Sequence, residues 1–130
     1  MFAGYSVQNR VKETLALEDK AKSDLDAARR TTAQTTRTAF FGVTSGLSQV
    51  KAYEAAEISS QSALDSNKLG YQVGVKINID VLNSQSQLYD TKAKLSKARN
   101  DVLVGGLKLR QAVGTLTAAD LQAVNALLGP

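Results

Sequence analysis

Leu69-Gly70-Tyr71-Gln72-Val73-Gly74-Val75-Lys76-Ile77-Asn78-Ile79-Asp80 is the stretch that decides the fold. It is the one place in the middle of the sequence where a long helical pattern stops and starts again. Gly70 and Gly74 interrupt the pattern. Gly70 reads as the helix terminator, because glycine reaches left-handed backbone angles without steric cost. Asn78 offers a side-chain acceptor as N-cap of a new helix, and Asp80 falls in the first turn, where a negative charge suits the helix dipole. The reading is a helical hairpin with its tip at 70–77, a long arm at 5–69 and a return arm at 78–113.

Outward from the tip, the return arm carries the sharper pattern. Val81, Leu88, Leu95, Val102 and Leu109 recur every seven residues, and Ser84, Thr91, Ala98, Gly105 and Ala112 follow three positions after each. One heptad position is a large aliphatic and the other is small, the signature of a supercoiled helix whose partner approaches closely. Lys92, Lys94, Lys97, Arg99 and Asp101 take other positions, as solvated faces should. Gly114 closes the arm. Thr117-Ala118-Ala119-Asp120 reads as a capping box with Asp in place of Glu. It opens a short helix, 117–128, expected to pack back on the hairpin through Leu121, Val124, Leu127 and Leu128.

The first arm is about 90 Å long at 1.5 Å per residue and needs a partner along its length. A mostly small stripe runs along it: Val7, Val11, Thr14, Glu18, Ala21, Leu25, Ala28, Thr32, Thr35, Ala39, Gly42 and Gly46. Phe40, Val43, Leu47 and Val50 form a bulkier stripe beside it. Two stripes imply two contact faces, where a two-stranded coiled coil needs one. The arms are unequal, so roughly 40 Å of the first has no cover within this chain. Phe2-Ala3-Gly4-Tyr5 is an apolar lead-in that reads as the end of a strand.

Composition agrees with an all-α chain. The 130 residues hold one Pro, at the terminus, and aromatics are 5%, thin for a globular core. With no Cys, no disulfide and no thiolate metal site can form. With no His, the commonest acid–base group is missing. Carboxylates scattered along helices assemble no catalytic constellation, so no enzyme, no cofactor and no metal site is expected. Net charge is +4, with 16 basic and 12 acidic residues interspersed, and no Lys/Arg block points to nucleic acid. No apolar run is long enough for a transmembrane helix. Met1-Phe2-Ala3-Gly4 is no signal peptide, so a protein working outside the cytoplasm would have this segment inside a longer parent.

The residues resemble a known family. Phe2-Ala3-Gly4 before a very long helix, Leu69-Gly70-Tyr71-Gln72-Val73-Gly74 at a tip, Ile79-Asp80-Val81-Leu82-Asn83 opening the return, Leu88-Tyr89 within it and Gly114-Thr115-Leu116 closing it are similar to the TolC-type outer-membrane efflux channels. The likeness covers nearly the whole chain and corresponds to the C-terminal part of the second of two internal repeats. It implies a stave of a trimeric α-barrel on the periplasmic side of the cell outer membrane of a Gram-negative bacterium. It implies a homotrimer, docking of the tips onto a periplasmic adaptor protein that links to an inner-membrane pump, and passage of exported small molecules or proteins.

Residue by residue, the resemblance makes Asp80 a lining group of the closed entrance, where copies around the axis would form an acidic ring favouring cations. Asn83 falls where the family's best-known member has a second aspartate, which puts a double ring in doubt. Tyr71 and Lys76 match a tyrosine and an arginine that hold the entrance shut. Lysine keeps the charge and loses the bidentate fork, so a weaker latch is implied. Val73, Gly74 and Val75 match the segment that meets the adaptor. The alternative from another class is a coiled-coil hairpin of an adaptor or scaffold without a conduit, which needs one seam where a stave needs contacts on both flanks. A lipid-surface amphipathic helix would need bulky anchors on one face, against the Ala/Thr/Gly stripe.

Overall fold

The computed structural model describes residues 5–127. Among them the regular structure is all helical, in the order α1 (Ser6–Gln72), α2 (Asn78–Val113) and α3 (Ala118–Leu127). It is an antiparallel hairpin, α1 against α2, with α3 folded onto α2. Phe2-Ala3-Gly4 and Leu128, for which a strand remnant and an apolar contact were expected, lie outside the described residues.

Both long helices end by the same device, and it relocates the terminator at the tip. Gly70 is inside α1 and does not end it. The left-handed residue is Gly74, with φ 78°. The N–H of Val75 donates to the Gly70 carbonyl at 2.8 Å and that of Gly74 to the Tyr71 carbonyl at 3.1 Å, the paired bonds of a Schellman ending. Gly114 repeats it at φ 79°, with Thr115 donating to Arg110 and Gly114 to Gln111. Both glycines sit in the pattern Val-Gly followed by a β-branched residue. At the start of α2 the extended cap residue is Ile77, and Asn78 is already helical, with no side-chain cap bond. The first turn rests on Asp80 and the dipole instead.

The α2 heptads face the partner as their spacing required. Leu88, Thr91, Leu95 and Ala98 are buried, and Val81, Ser84, Val102, Gly105, Leu109 and Ala112 are partly so. The answering face of α1 is a single stripe between the two read from sequence. Thr36, Ala39, Val43, Gly46, Val50, Tyr53, Glu57, Ser60, Leu64 and Asn67 are all at least partly covered, again at alternating spacings of three and four. Of the small stripe only Ala39 and Gly46 take part, and of the bulky one only Val43 and Val50. Phe40 and Leu47 flank the seam and remain half exposed.

Large meets small across this seam. A Cβ on Gly46 would lie 2.8 Å from Val102 Cγ2, and one on Gly105 would lie 3.3 Å from Val43 Cγ2. Nearer the tip the layers turn polar. The hydroxyls of Ser60 and Thr91 are 3.5 Å apart, and the Asn67 amide donates to Ser84 Oγ. Thr91 also donates to the Gln87 carbonyl at 2.8 Å, so its buried hydroxyl is satisfied. Arg99 pairs with Glu54 at 2.9 Å and Lys92 with Glu57 at 3.9 Å along the edges. Burying Leu64, Leu88 and Leu95 is worth about 1.5–3 kcal/mol each.

The capping box at the start of α3 forms as read. The Thr117 N–H donates to Asp120 Oδ2 at 2.9 Å, and the Asp120 N–H donates back to Thr117 Oγ1 at 3.4 Å. Asp120 also pairs with Arg110 in the last turn of α2, which ties α3 down. The expected packing through Leu121, Val124 and Leu127 is met in part. Val124 is partly covered beside Val43, Leu47, Val102 and Leu103, whereas Leu121 and Leu127 are largely exposed. Asp120 and Val124, one turn apart, define the inward face.

The accessible surface is 10171 Å², against about 6,600 Å² for a globular monomer of this mass. The hairpin is a rod, and much of the difference lies on α1 before Thr36, where every described residue is exposed.

Candidate functional site

The hairpin tip gathers the residues singled out from sequence. The Schellman ending turns the chain at Gly74, and the backbone comes back into α2 at Asn78. This leaves Val73 and Val75 65% and 78% exposed at the apex. A Cβ built on Gly74 meets nothing within 4 Å, so its backbone is open to approach from outside. Tyr71, Ile77, Ile79 and Leu82 are also more than half exposed, which makes the apex an apolar surface.

Lys76 and Asp80 are brought together. Lys76 Nζ lies 3.7 Å from Asp80 Oδ2, one helical turn apart, with side chains 47% and 37% exposed. Asp80 is fixed from behind as well. Ser84 Oγ donates to the Asp80 carbonyl at 2.9 Å and accepts from Asn67 of α1. Asn83 is exposed and borders a shallow depression with Ser59, Ser60, Ala63, Ser84 and Gln87. Tyr71 is half exposed and is not joined to either charged group within this chain. The structure therefore pairs two of the four gate candidates, Lys76 and Asp80.

Sequence reasoning missed Gly70, Asn67 and Ser84 as supports of this arrangement. Ser84 is one of the small heptad positions of α2, and Asn67 answers it from α1.

No cluster of acidic residues able to hold a metal ion occurs among the described residues. No helix of the described residues is long and apolar enough to cross a membrane.

Residues 1–115 match the family model described as outer membrane efflux protein. The chain belongs to that family. It is 36% identical over 129 residues to the outer membrane protein TolC of Salmonella enteritidis and 35% over 125 residues to that of Escherichia coli K12. These matches cover 99% and 96% of this chain. It is 29% identical over 126 residues to the alkaline protease secretion protein AprF of Pseudomonas aeruginosa, 97% of this chain. The chain spans about a quarter of the length of these relatives, 26%, 25% and 26% respectively. The family is that of outer membrane efflux proteins, and the TolC relatives are outer membrane proteins.

Proposed function

We propose that the hairpin is a stave in the wall of a periplasmic export conduit, with its tip serving as entrance gate and docking point. The observation that carries this reading is the uncovered length of α1. Some thirty residues, about 45 Å of helix, have no partner among the described residues, and a rod of this kind needs neighbours on its flanks. Other helices of the parent protein and copies of it, in a homotrimer, supply them. Exported molecules pass along the wall without chemistry. Relatives named for efflux and for protease secretion leave both small molecules and proteins as cargo.

At the entrance, Asp80 faces the passage, and its copies favour cations there. Asn83, Lys76 and Tyr71 line or latch the same constriction. Val73, Gly74 and Val75 meet a periplasmic adaptor, which connects the channel to an inner-membrane pump. Exposed valines around an open glycine suit a contact in which another helix lies close to the backbone.

Bilayer conductance of the whole channel tests the gate. Asp80→Ala is expected to lower cation preference, and unchanged selectivity would take Asp80 out of the pore. Crosslinking to the adaptor tests the tip. Val75→Glu and Gly74→Trp are expected to weaken it, and full-strength crosslinking with both would remove the tip from that interface. The reading as an adaptor or scaffold hairpin is disfavoured by the family to which the chain belongs.

A further inference from the structure

We propose that Gly70 is a positioning residue: by leaving room for the stem of Lys76 it sets the ammonium beside Asp80, and the tip carries a charge-compensated clasp in place of a bare carboxylate. The clasp stands on geometry alone. Its consequence for ion selectivity rests on the reading of Asp80 as a pore residue.

Gly70 does not need to be glycine for its backbone, since the described glycines with positive φ are Gly74 and Gly114. Inside a helix, glycine is disfavoured relative to alanine. What it provides is space. A Cβ at position 70 would lie 2.7 Å from Lys76 Cγ and 3.3 Å from Lys76 Cβ. These atoms are at the root of the lysine and cannot swing clear as its far end would. The root is itself anchored, because the Gly70 carbonyl accepts from the N–H groups of both Val75 and Lys76, at 2.8 and 3.0 Å. The lysine stem therefore crosses the last turn of α1 over the missing side chain and reaches Asp80 at 3.7 Å.

The backbone that carries Asp80 is tied to α1 separately. Asn67, three residues before Gly70, donates to Ser84, which donates to the Asp80 carbonyl. Residues of α1 thus contact the root of Lys76 and, through Ser84, the main chain of Asp80. A ring of Asp80 copies built this way has a lysine against each carboxylate, and cation preference depends on whether that lysine stays clasped.

The test uses the whole channel and two readouts. Trace acylation with acetic anhydride, followed by peptide mass spectrometry, compares Lys76 with Lys68 as internal reference. Asp80→Asn and Gly70→Ala are each expected to raise the Lys76/Lys68 ratio about twofold, the scale of a half-exposed pair. Gly70→Ala is expected to add nothing in the Asp80→Asn background. A wild-type ratio in Gly70→Ala, or an equal rise with Asp80 already replaced, overturns the positioning role. A wild-type ratio in Asp80→Asn overturns the clasp. In bilayers, Lys76→Gln and Gly70→Ala are expected to raise the cation-to-anion permeability ratio by similar factors, and the double variant no further. If the acylation ratios change as expected while Asp80→Ala leaves selectivity untouched, the pore reading fails and the clasp survives.

Discussion

From Thr36 to Asn67, α1 lays its seam residues against α2, while from Gln8 to Thr32 the same heptad positions face solvent. Helix propensity does not distinguish the halves, since both are rich in Ala, Thr, Ser and charged residues. The seam residues do. In the covered half they include Val43, Gly46, Val50 and Leu64. In the overhang they run Gln8, Val11, Leu15, Glu18, Lys22, Leu25, Arg29 and Thr32, with Lys22 and Glu18 already paired at 2.7 Å on the surface. A seam that alternates leucine with charge cannot simply continue a two-stranded coiled coil. On the stave reading the overhang meets neighbours other than α2, and the small residues beside its seam, such as Thr14, Ala21 and Ala28, would leave them room.

The sharpest way to break this contrast is to truncate one leucine in each half. Leu95→Ala, at a site 3% exposed, is expected to cost about 2–5 kcal/mol in urea denaturation of the chain. Leu25→Ala, at a site 51% exposed, should stay within about 0.5 kcal/mol. Equal losses would mean that the overhang is covered in the free chain. In the assembled channel the order should change, with Leu25→Asp lowering trimer yield on native gels.

Glycines sharpen the same comparison at the boundary. Gly46→Val drives a side chain into Val102 and is expected to cost about 1–3 kcal/mol. Gly42→Ala meets nothing within 4 Å and should stabilise the free chain by up to about 1 kcal/mol through helix propensity. Urea midpoints moving in opposite directions would verify that Gly46 is a seam residue and Gly42 is not.

A smaller effect is expected at α3. Asp120→Ala removes both the Thr117 capping partner and the Arg110 pair, for about 1 kcal/mol. Amide exchange over residues 121–127 should rise about fivefold, with the seam unaffected. Least of all should come from Lys94, whose pKa is raised by the hydrogen bond and charge of Asp90. Its contribution is present below the ordinary lysine value of 10.5 and is lost as pH climbs through the raised one. The pair is solvent-exposed, so Lys94→Gln should leave the urea midpoint at pH 7 unchanged.

The site was partly legible before the fold was known. Tyr71, Val73, Gly74, Val75, Lys76, Asp80 and Asn83 were all placed at or beside a turn, because glycine punctuation and the restart of periodicity are local signals. What local signals could not say is which of two nearby glycines turns the chain. Either Gly70 or Gly74 suits a left-handed residue, and the choice went to Gly74 because its position lets Gly70 and Tyr71 accept the closing bonds. Nor could they show that Lys76 reaches Asp80 over Gly70, since that depends on where the returning backbone crosses the end of α1.

By itself, the sequence determined an all-α hairpin, the heptads of α2, the capping box of α3 and a first arm longer than its partner. Each follows from periodicity and end chemistry that act within a few residues. The tertiary structure alone decided which stripe of α1 meets α2 and how Gly46 and Gly105 interlock with Val102 and Val43. It also decided that Asp120 and Val124 dock α3 while Leu121 stays exposed. Those outcomes depend on register between distant segments, where several apolar rows compete and close packing selects one.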